Sequence, residues 1–351
     1  PLILNYTQPI RAYNALKWRK KTAPLEYENA QRAYLESMQD ITINVTNLFF
    51  TVLSAQENYR QSVADYEDRQ HLFEIATKRL ELGTTTKSEL LQLELSLLNA
   101  KMNVNSHSLT LRTRLFELFS YLRIVDYQDI ELLPPYYMPE IEMNAETVLE
   151  KAWDNSSHLI AQQLSLLESQ RALAEAKASR GLQVEFRGKV GLSQSANDFP
   201  AAYRSLKDYE TVGLTMTIPV YDWGLGRGKV RMARTDVEIT KTQIEQANIE
   251  FAHDVRTRVM QFNNQAEQCR TSLRAQDIAA ERYDIMKKRF ENGSVTVTDL
   301  NTAQEEYESA QHQYISQLQS FWTDYYGIQK LTLYDFIRNE NIEVNFNDLI
   351  N

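Results

Sequence analysis

The hydrophobic pattern of the chain has a period of two in three short segments. Apolar and polar residues alternate from Leu182 to Ser195, and they alternate again from Thr211 to Val220. This period is typical of a β-strand with one apolar and one polar face. A weaker form of the pattern opens the chain, with apolar residues at Leu2, Leu4, Tyr6 and Ile10. We therefore predict three two-faced strands.

Elsewhere the pattern is helical. No Gly or Pro lies between Pro24 and Gly83 or between Lys229 and Asn292, and these two residue types most readily end a helix. A helix of ~60 residues extends roughly 90 Å, far beyond the average helix of a compact domain. A second helical segment follows each stretch, over about 86–122 and 295–326. We predict two long helical hairpins, each bent at a glycine.

The second arm of each hairpin repeats apolar or small residues at spacings of three and four, which is typical of a coiled-coil seam. In the second hairpin these residues are Leu300, Ala303, Tyr307, Ala310, Tyr314, Leu318 and Phe321. In the first hairpin they are Leu90, Leu93, Leu97, Ala100, Val104, Leu111, Leu115 and Leu118. Polar residues flank both seams, so we expect the opposite faces to meet water.

The chain also aligns with itself at a constant offset of 210 positions. Under this offset Pro9 falls on Pro219, and the turn glycine of the first hairpin falls on that of the second. Glu89, six residues after the first turn glycine, falls on Asp299. Chance similarity between two coiled helices is the alternative, and the match of Pro, Gly and acidic positions in one register disfavours it. Each repeat is therefore interpreted as strand, long helix, glycine turn and long helix.

Composition excludes several classes of protein. Apolar residues make up 43% of the chain and charged residues 24%, which is close to globular averages. No run approaches the ~18 apolar residues of a membrane-spanning helix. The net charge of −9 disfavours a nucleic-acid partner. The single cysteine, Cys269, permits neither a disulfide within one chain nor a thiolate metal site.

No pattern of catalytic residues stands out. The five histidines are isolated from one another and from candidate metal ligands. Gly224, Gly226 and Gly228 come nearest to a phosphate-binding loop, but no Walker lysine follows, so we interpret them as a loosened strand-to-helix junction. We expect no catalytic residue, no metal and no cofactor, and we predict that the chain is not an enzyme.

The strands have the length of membrane strands. Segments of ~9–11 residues with one apolar face are typical of a transmembrane β-barrel. Seven of the ten glycines lie between Gly181 and Gly228, as expected for a curved sheet and its loops. Three strands are too few to close a barrel, which needs at least about eight, so closure would require several copies of the chain. For the strands alone, a soluble sandwich edge stays an alternative.

These motifs together resemble those of a known family. A proline stands at each strand-to-helix junction, and Arg79 and Arg289 each precede a turn glycine by four positions. An acidic residue follows each turn glycine by six positions. In this duplicated layout the chain resembles the TolC-like outer-membrane efflux proteins over nearly its whole length.

The resemblance implies an α+β fold that is mainly α. Long coiled helical hairpins would form an α-barrel joined to a transmembrane β-barrel that trimerisation completes. The implied location is the bacterial outer membrane, with an extension into the periplasm. The implied partners are two further copies in a homotrimer, a periplasmic adaptor (membrane fusion) protein, an inner-membrane pump and outer-membrane lipid. No nucleic acid is expected.

By position in the family motif, the hairpin turns would contact the adaptor. The residues concerned are Arg79, Leu82, Gly83 and Thr84 in the first repeat and Arg289, Asn292, Gly293 and Ser294 in the second. Glycine would allow the adaptor to approach the backbone closely. A turn needs glycine with or without a partner, however, and both interpretations stay open.

Four further positions match the family's periplasmic gate. Glu89 and Asp299 stand where the family places carboxylates around the closed entrance. A cap or a dipole contact at a helix N-terminus explains the same carboxylates, so that alternative stays open. Thr302 and Val295 stand where some members carry a second acidic residue and its basic partner, so the gate network of those members is not expected in full.

The resemblance divides the chain into four segments. They are a first repeat (1–133), an equatorial segment with the helix that leads into the second half (134–180), a second repeat (181–330) and a C-terminal equatorial tail (331–351). The family also has a helix and a strand before the segment that begins here at Pro1, so we expect the printed sequence to be incomplete.

The sequence therefore predicts a channel subunit of a tripartite efflux or type I secretion system, which conducts substrates passively from adaptor and pump to the outside. Small-molecule efflux and protein secretion share this architecture, and both stay open. The rival from a different class is a soluble coiled-coil scaffold whose hairpins bind partner helices.

Overall fold

The computed structural model describes residues 2–83, 86–125, 130–133, 138–193, 206–291, 294–295 and 297–346. The helices in these ranges are α1 Ala15–Glu81, α2 Lys87–Tyr121, α3 Ala145–Asn155, α4 His158–Arg180, α5 Leu225–Glu291 and α6 Val297–Thr332. The strands are β1 Leu2–Arg11, β2 Gln183–Ser193, β3 Lys207–Thr217, β4 Tyr334–Asp335 and β5 Glu340–Asn341. None of these helices combines the length and the apolar character that crossing a membrane requires.

The elements form two compact units. One unit comprises Ser157–His253 with the described residues up to Ala33, and it contains the three long strands. The other comprises Tyr34–Ser156 with the described residues from Asp254 onward, and it contains both hairpin turns.

The helix bounds confirm the internal repeat. Helices α1 and α5 each have 67 residues, and Ala15 lies 210 positions before Leu225. Helix α2 begins at Lys87 and α6 at Val297, which is the same offset of 210. The two halves of the chain therefore fold as the same supersecondary unit.

Helix α1 begins earlier than the absence of Gly and Pro predicts. The side chain of Asn14 accepts a hydrogen bond from the backbone N–H of Lys17 at 3.0 Å and so caps the helix. Pro24 consequently lies inside α1, where it removes one backbone donor without ending the helix. A strong cap upstream decides the helix start, and the proline does not.

Helix α5 also begins early, and it uses a different cap. The carboxylate of Asp222 accepts the backbone N–H of Gly226 at 2.7 Å and that of Gly224 at 3.0 Å. These two bonds, first that from Gly226, hold the pKa of Asp222 below its usual range. Gly224 has φ +86, a left-handed conformation that favours glycine, and Gly228 lies in the first turn of α5. The glycine run therefore forms the junction between β3 and α5.

Helix α6 is longer than its sequence predicts. It continues to Thr332, although Gly327 marks the predicted end near residue 326. Tyr325 and Ile328 are each only 1% exposed, and the Tyr325 hydroxyl donates to Asp335 Oδ1 at 2.7 Å. Burial of these side chains stabilises the last turns of α6 by more than the penalty of about 1 kcal/mol for a glycine inside a helix.

The three long strands form one antiparallel sheet in the order β1-β2-β3. Leu4 lies opposite Val190, and Phe186 lies opposite Leu214, so the register brings the apolar residues onto one face. This face carries Leu4, Tyr6, Val184, Phe186, Val190, Val212, Leu214 and Met216. The other face carries Asn5, Thr7, Glu185, Arg187, Lys189, Thr211 and Thr215. The two-faced pattern is confirmed in the three strands, although Gln8, Asp208 and Glu210 also lie on the apolar face. The bounds predicted for the last strand are wrong, because β3 spans Lys207–Thr217 instead of Thr211 to Val220.

The described residues leave the apolar face of this sheet uncovered. Leu4 is 73% exposed, Val212 75% and Leu214 58%. In the described sheet, β1 and β3 each pair with β2 alone, so each has one open edge. Within the part of the chain that the structure describes, the sheet thus has no partner for its apolar face or for its two outer edges.

The helical unit has a conventional apolar core. Phe262 of α5 packs against Phe321 and Tyr325 of α6, with ring centroids 5.1 and 6.2 Å apart. A neighbouring cluster joins α1, α5 and α6 through Phe50, Leu53, Cys269, Ile315 and Leu318. Every described seam position of α2 and α6 is buried or half-buried, which confirms both predicted seams.

Two side-chain amides bind segments without regular secondary structure to the long helices. Gln56 of α1 exchanges two hydrogen bonds with the backbone of Leu132, both at 2.9 Å. Asn263 of α5 does the same with Met143, at 3.0 Å to its N–H and 2.9 Å to its carbonyl. Each amide therefore satisfies a donor and an acceptor that no regular element pairs.

We predict that Asn263→Leu destabilises the folded chain by about 2 kcal/mol, because it leaves the Met143 N–H and C=O without these partners. Thermal unfolding of the full chain, followed by circular dichroism, measures the effect. The matched control is Asn264→Leu, since Asn264 is the exposed neighbour on the same helix. Equal losses in the two variants would contradict the role of the amide.

Candidate functional site at the helical turns

The first hairpin turn closes on a glycine in the left-handed conformation. Helix α1 ends with the N–H of Leu82 bonded to the Lys78 carbonyl at 3.2 Å and that of Gly83 bonded to the Leu80 carbonyl at 3.0 Å. Gly83 has φ +72, which L-residues rarely adopt. Leu82 is 78% exposed, and Arg79 is exposed one turn earlier. The turn therefore presents an apolar side chain and a cation to solvent, while Thr84 lies outside the described residues.

The start of α2 is fixed by a capping box. The Thr86 hydroxyl accepts the Glu89 N–H at 3.2 Å, and the Glu89 carboxylate accepts the Thr86 N–H at 3.0 Å. The exposed carboxylate of Glu89 thus has a structural partner within its own turn. This geometry favours the capping interpretation of Glu89.

The second turn is described in part, because Asn292 and Gly293 lie outside the described residues. The N–H of Ser294 bonds to the carbonyl of Arg289 at 2.9 Å, and both residues are exposed. Val295 is half-buried. This turn also closes over the end of its long helix.

Two of the predicted gate residues lie on the first turns of α6. Asp299 is its third residue and is exposed, so its carboxylate lies at the positive end of the helix dipole. Thr302 is exposed, and its hydroxyl donates to the Thr298 carbonyl at 3.0 Å. The hydroxyl of Thr302 is therefore engaged by its own helix.

A polar network that the sequence does not predict lies roughly four to five helical turns before Gly83 along α1. Asp68 of α1 accepts hydrogen bonds from Lys287 Nζ at 3.0 Å and from the Tyr283 hydroxyl at 3.1 Å, both on α5. Burial raises the pKa of Tyr283, and the Asp68 carboxylate raises it further. The phenol therefore stays a neutral donor, and α1 and α5 are joined by a charge-assisted contact.

The same network reaches the other two helices of the hairpins. Asp65 binds Arg69 at 2.9 Å within α1 and accepts the Gln304 amide of α6 at 3.0 Å. Arg69 also donates to Ser96 of α2. All four hairpin helices are thus connected by hydrogen bonds in this region.

A weak signal for this network exists in the sequence. Under the offset of 210, Asp65 and Asp68 fall on Ala275 and Ile278. One repeat thus has a carboxylate where the other has an apolar residue. This difference indicates that the carboxylate makes a contact which is absent from the other repeat. The pattern does not tell which helix supplies the partner.

The described residues contain no group of three or more His, Cys, Asp or Glu side chains placed to hold a metal ion. His158 stacks on Phe251 with centroids 4.2 Å apart and bonds to Asn248 at 3.2 Å. These contacts pack α4 against α5, so this histidine has a structural role.

Comparison with known proteins identifies the family. The family model described as outer membrane efflux protein matches residues 2–122 and 148–332. No curated protein sequence matches the chain.

Solved structures share the fold. The CmeC outer membrane channel of Campylobacter jejuni is 15% identical, with a TM-score of 0.74 over 99% of this chain and 72% of that one. The outer membrane protein VceC of Vibrio cholerae is 14% identical, with a TM-score of 0.68 over 97% and 80%. The MtrE outer membrane channel of Neisseria gonorrhoeae is 12% identical, with a TM-score of 0.70 over 95% and 80%. The predicted fold class is confirmed.

Because the family model covers most of the chain, the protein belongs to the outer membrane efflux protein family and lies in the outer membrane with an extension into the periplasm.

Proposed function

We propose that the chain is one protomer of a trimeric outer-membrane channel that passively conducts substrates delivered by a periplasmic adaptor and an inner-membrane pump. The observation that carries this proposal is the three-stranded sheet, which has an uncovered apolar face and an open edge on each side in the described chain. Lipid would cover the face, and strands of neighbouring copies would pair with the edges. The polar face would then line a water-filled lumen.

A second exposed pattern supports assembly of several copies. Helix α2 carries an outer stripe of exposed apolar residues at heptad-like spacing, separate from its buried seam. The outer stripe consists of Leu91, Leu95, Leu98, Met102, Leu109 and Phe116. Such a stripe fits a helix of a neighbouring protomer, because its spacing is that of a coiled-coil contact.

We predict that Leu214→Arg on the apolar face lowers the yield of folded protein in lipid by more than tenfold. A cation near the middle of the lipid face costs roughly 2–4 kcal/mol per protomer. Thr215→Arg is the matched control, because its side chain lies on the opposite face of the same strand. The measurement is recovery of trimer from liposomes after refolding.

The rival soluble scaffold makes a different prediction for the same experiment. Leu214→Arg would then be tolerated as well as Thr215→Arg, and the wild-type chain would purify as a monomer without detergent. Either result would overturn the channel proposal. The uncovered apolar face of the sheet disfavours this rival.

The hairpin turns are the proposed adaptor contacts. Support comes from Leu82, an apolar side chain that is 78% exposed at the turn and that a bound partner would cover. Gly83 supports the alternative equally, because its φ of +72 is needed by the turn itself. Arg79, Thr84, Arg289, Asn292, Gly293 and Ser294 belong to the same proposal by their place in the two turns.

A photo-crosslinking amino acid at Leu82 is expected to capture a periplasmic adaptor in cells, as identified by mass spectrometry of the product. The same group at Leu109, which is 67% exposed on the outer stripe, is the control and should capture another copy of this chain. Capture of only this chain from position 82 would contradict the adaptor contact.

The proposed gate involves Glu89 and Asp299, which are both exposed in the first turn of their helices. The Glu89 carboxylate in addition completes a capping box. Val295 and Thr302 belong to the same proposal by position, but neither carries a charge. A ring of Asp299 carboxylates in a trimer would favour cations.

We predict that Asp299→Ala lowers the cation-over-anion permeability ratio roughly two- to fivefold, since a unit charge at ~4 Å contributes about 1 kcal/mol in water. Reversal potentials of the trimer in planar bilayers under a salt gradient measure this ratio. Glu150→Ala removes an exposed carboxylate from α3 and serves as the control. An unchanged ratio in Asp299→Ala would remove this residue from the gate.

The four-segment division (1–133, 134–180, 181–330 and 331–351) is retained as part of the proposal. It follows chain order, whereas the two compact units combine segments from both halves of the chain. Small-molecule efflux and protein secretion fit the same geometry equally.

A further inference from the structure

Eight exposed basic side chains lie just beyond the end of the three-stranded sheet at which β1 and β3 terminate. Strands β1 and β3 end where β2 begins, since Val184 lies opposite both Arg11 and Met216, and these strand termini define one end of the sheet. Helices α1 and α5 start just after the last residues of β1 and β3, beyond this end. Their first turns carry the basic belt, which consists of Lys17, Arg19, Lys20, Lys21, Arg227, Lys229, Arg231 and Arg234.

The charge of this belt is one-sided. No Asp or Glu lies in residues 15–25 or 223–235, although the whole chain has a net charge of −9. In the described part of the chain, none of the eight side chains forms an ion pair. Asp222 lies near Arg227, but its oxygens bind backbone N–H groups. The belt therefore presents a net positive charge to solvent.

The belt is duplicated by the internal repeat. Lys17 falls on Arg227 and Arg19 on Lys229 under the offset of 210, and Lys21 falls on Arg231. The residues between these positions on α1 do not fall on basic residues of α5. Cationic character is therefore retained at these positions in both repeats while the neighbouring chemistry changes.

Exposed aromatic residues separate the belt from the apolar face of the sheet. Tyr221 is 71% and Trp223 87% exposed, and their rings meet edge to face at 4.7 Å. On α1, Trp18 is half-buried and lies within the belt, with the ammonium of Lys21 at 4.9 Å from its ring centroid. Tyr and Trp favour the boundary between hydrocarbon and water.

A further cation joins the belt where α4 ends. The stem of Arg180 packs so closely on α5 that a Cβ at Gly226 would lie 3.1 Å from Arg180 Cγ. Glycine at this position therefore lets the Arg180 side chain lie beside the junction. Together with Tyr221, Trp223 and Arg227 it lines a shallow hollow around Asp222.

We propose that the basic belt binds anionic phospholipid headgroups of the membrane leaflet next to the helices. This rests on the proposed function, in which the sheet is inserted into the outer membrane. The order of apolar strand face, aromatic side chains and cations along the chain is the order of hydrocarbon, interface and phosphate in a leaflet. The cations are spread over about two turns of each helix, which suits many headgroups rather than one free phosphate.

Native mass spectrometry of the full chain in non-ionic detergent tests this proposal. The probe is an equimolar mixture of phosphatidylglycerol and phosphatidylcholine with identical acyl chains. The wild-type protein should retain phosphatidylglycerol in about threefold excess. This preference should fall as the salt concentration rises, because exposed charges are screened.

Two triple variants and one control locate the site. Either K17Q/R19Q/K21Q or R227Q/K229Q/R231Q should at least halve the preference for phosphatidylglycerol. K101Q/R112Q/R274Q removes the same charge from exposed positions of the other compact unit and should leave the preference unchanged. Equal preference in all four proteins would overturn the proposal, as would displacement of the lipid by soluble glycerol 3-phosphate.

Bilayer recordings separate this proposal from the proposed function. Wild-type channels that insert and conduct without any lipid preference would overturn the belt alone. A wild-type chain that neither inserts nor conducts would overturn the channel. Thermal unfolding of each variant confirms that a lost preference does not reflect a lost fold.

Discussion

Backbone hydrogen bonding is the constraint on which the rest of this structure depends. A strand has donors and acceptors on both sides, and hydrocarbon can satisfy neither. In the described sheet, β1 and β3 are paired on one side only, and the apolar face between them is open. In the proposed channel, the three described strands satisfy these groups by pairing their edges with strands of other copies. The repeat and the outer stripe of α2 are consistent with that need.

In the helical unit the constraint is the register between helices, because two nearly equivalent hairpins can pair in more than one register. Apolar seams alone do not distinguish these registers, since both repeats carry them at the same spacing. The contact of Asp68 with Lys287 is not duplicated, because the offset places Ile278 and Thr77 at those positions. A contact present in only one register favours that register, since the alternatives leave its charges without partners.

The first turn shows a structural role for an acidic position. The Glu89 side chain reaches back to the Thr86 N–H and completes a capping box. A carboxylate in the first turn of a helix is also favoured by the helix dipole, and this applies to Asp299 at the matching position. An acidic residue six positions after a turn glycine can therefore stabilise the start of the second helix.

The sequence by itself determined the features that depend on local spacing. The period of two set the faces of the strands, and the seams at spacings of three and four set the buried side of α2 and α6. The offset of 210 indicated the two equivalent pairs of helices. Gly83 and Gly293 marked the turns, because few other residues adopt the left-handed conformation seen at Gly83.

Only the tertiary structure decided which distant groups meet. Asn263 binds the backbone of Met143, and Asp68 binds Lys287, although nothing in either local pattern names the partner. Burial around Tyr325 likewise stabilises α6 beyond Gly327, where the sequence predicts that the helix ends. These outcomes depend on how the helices rotate and slide against one another. Periodicity specifies which face of a helix is buried, but not what lies opposite that face.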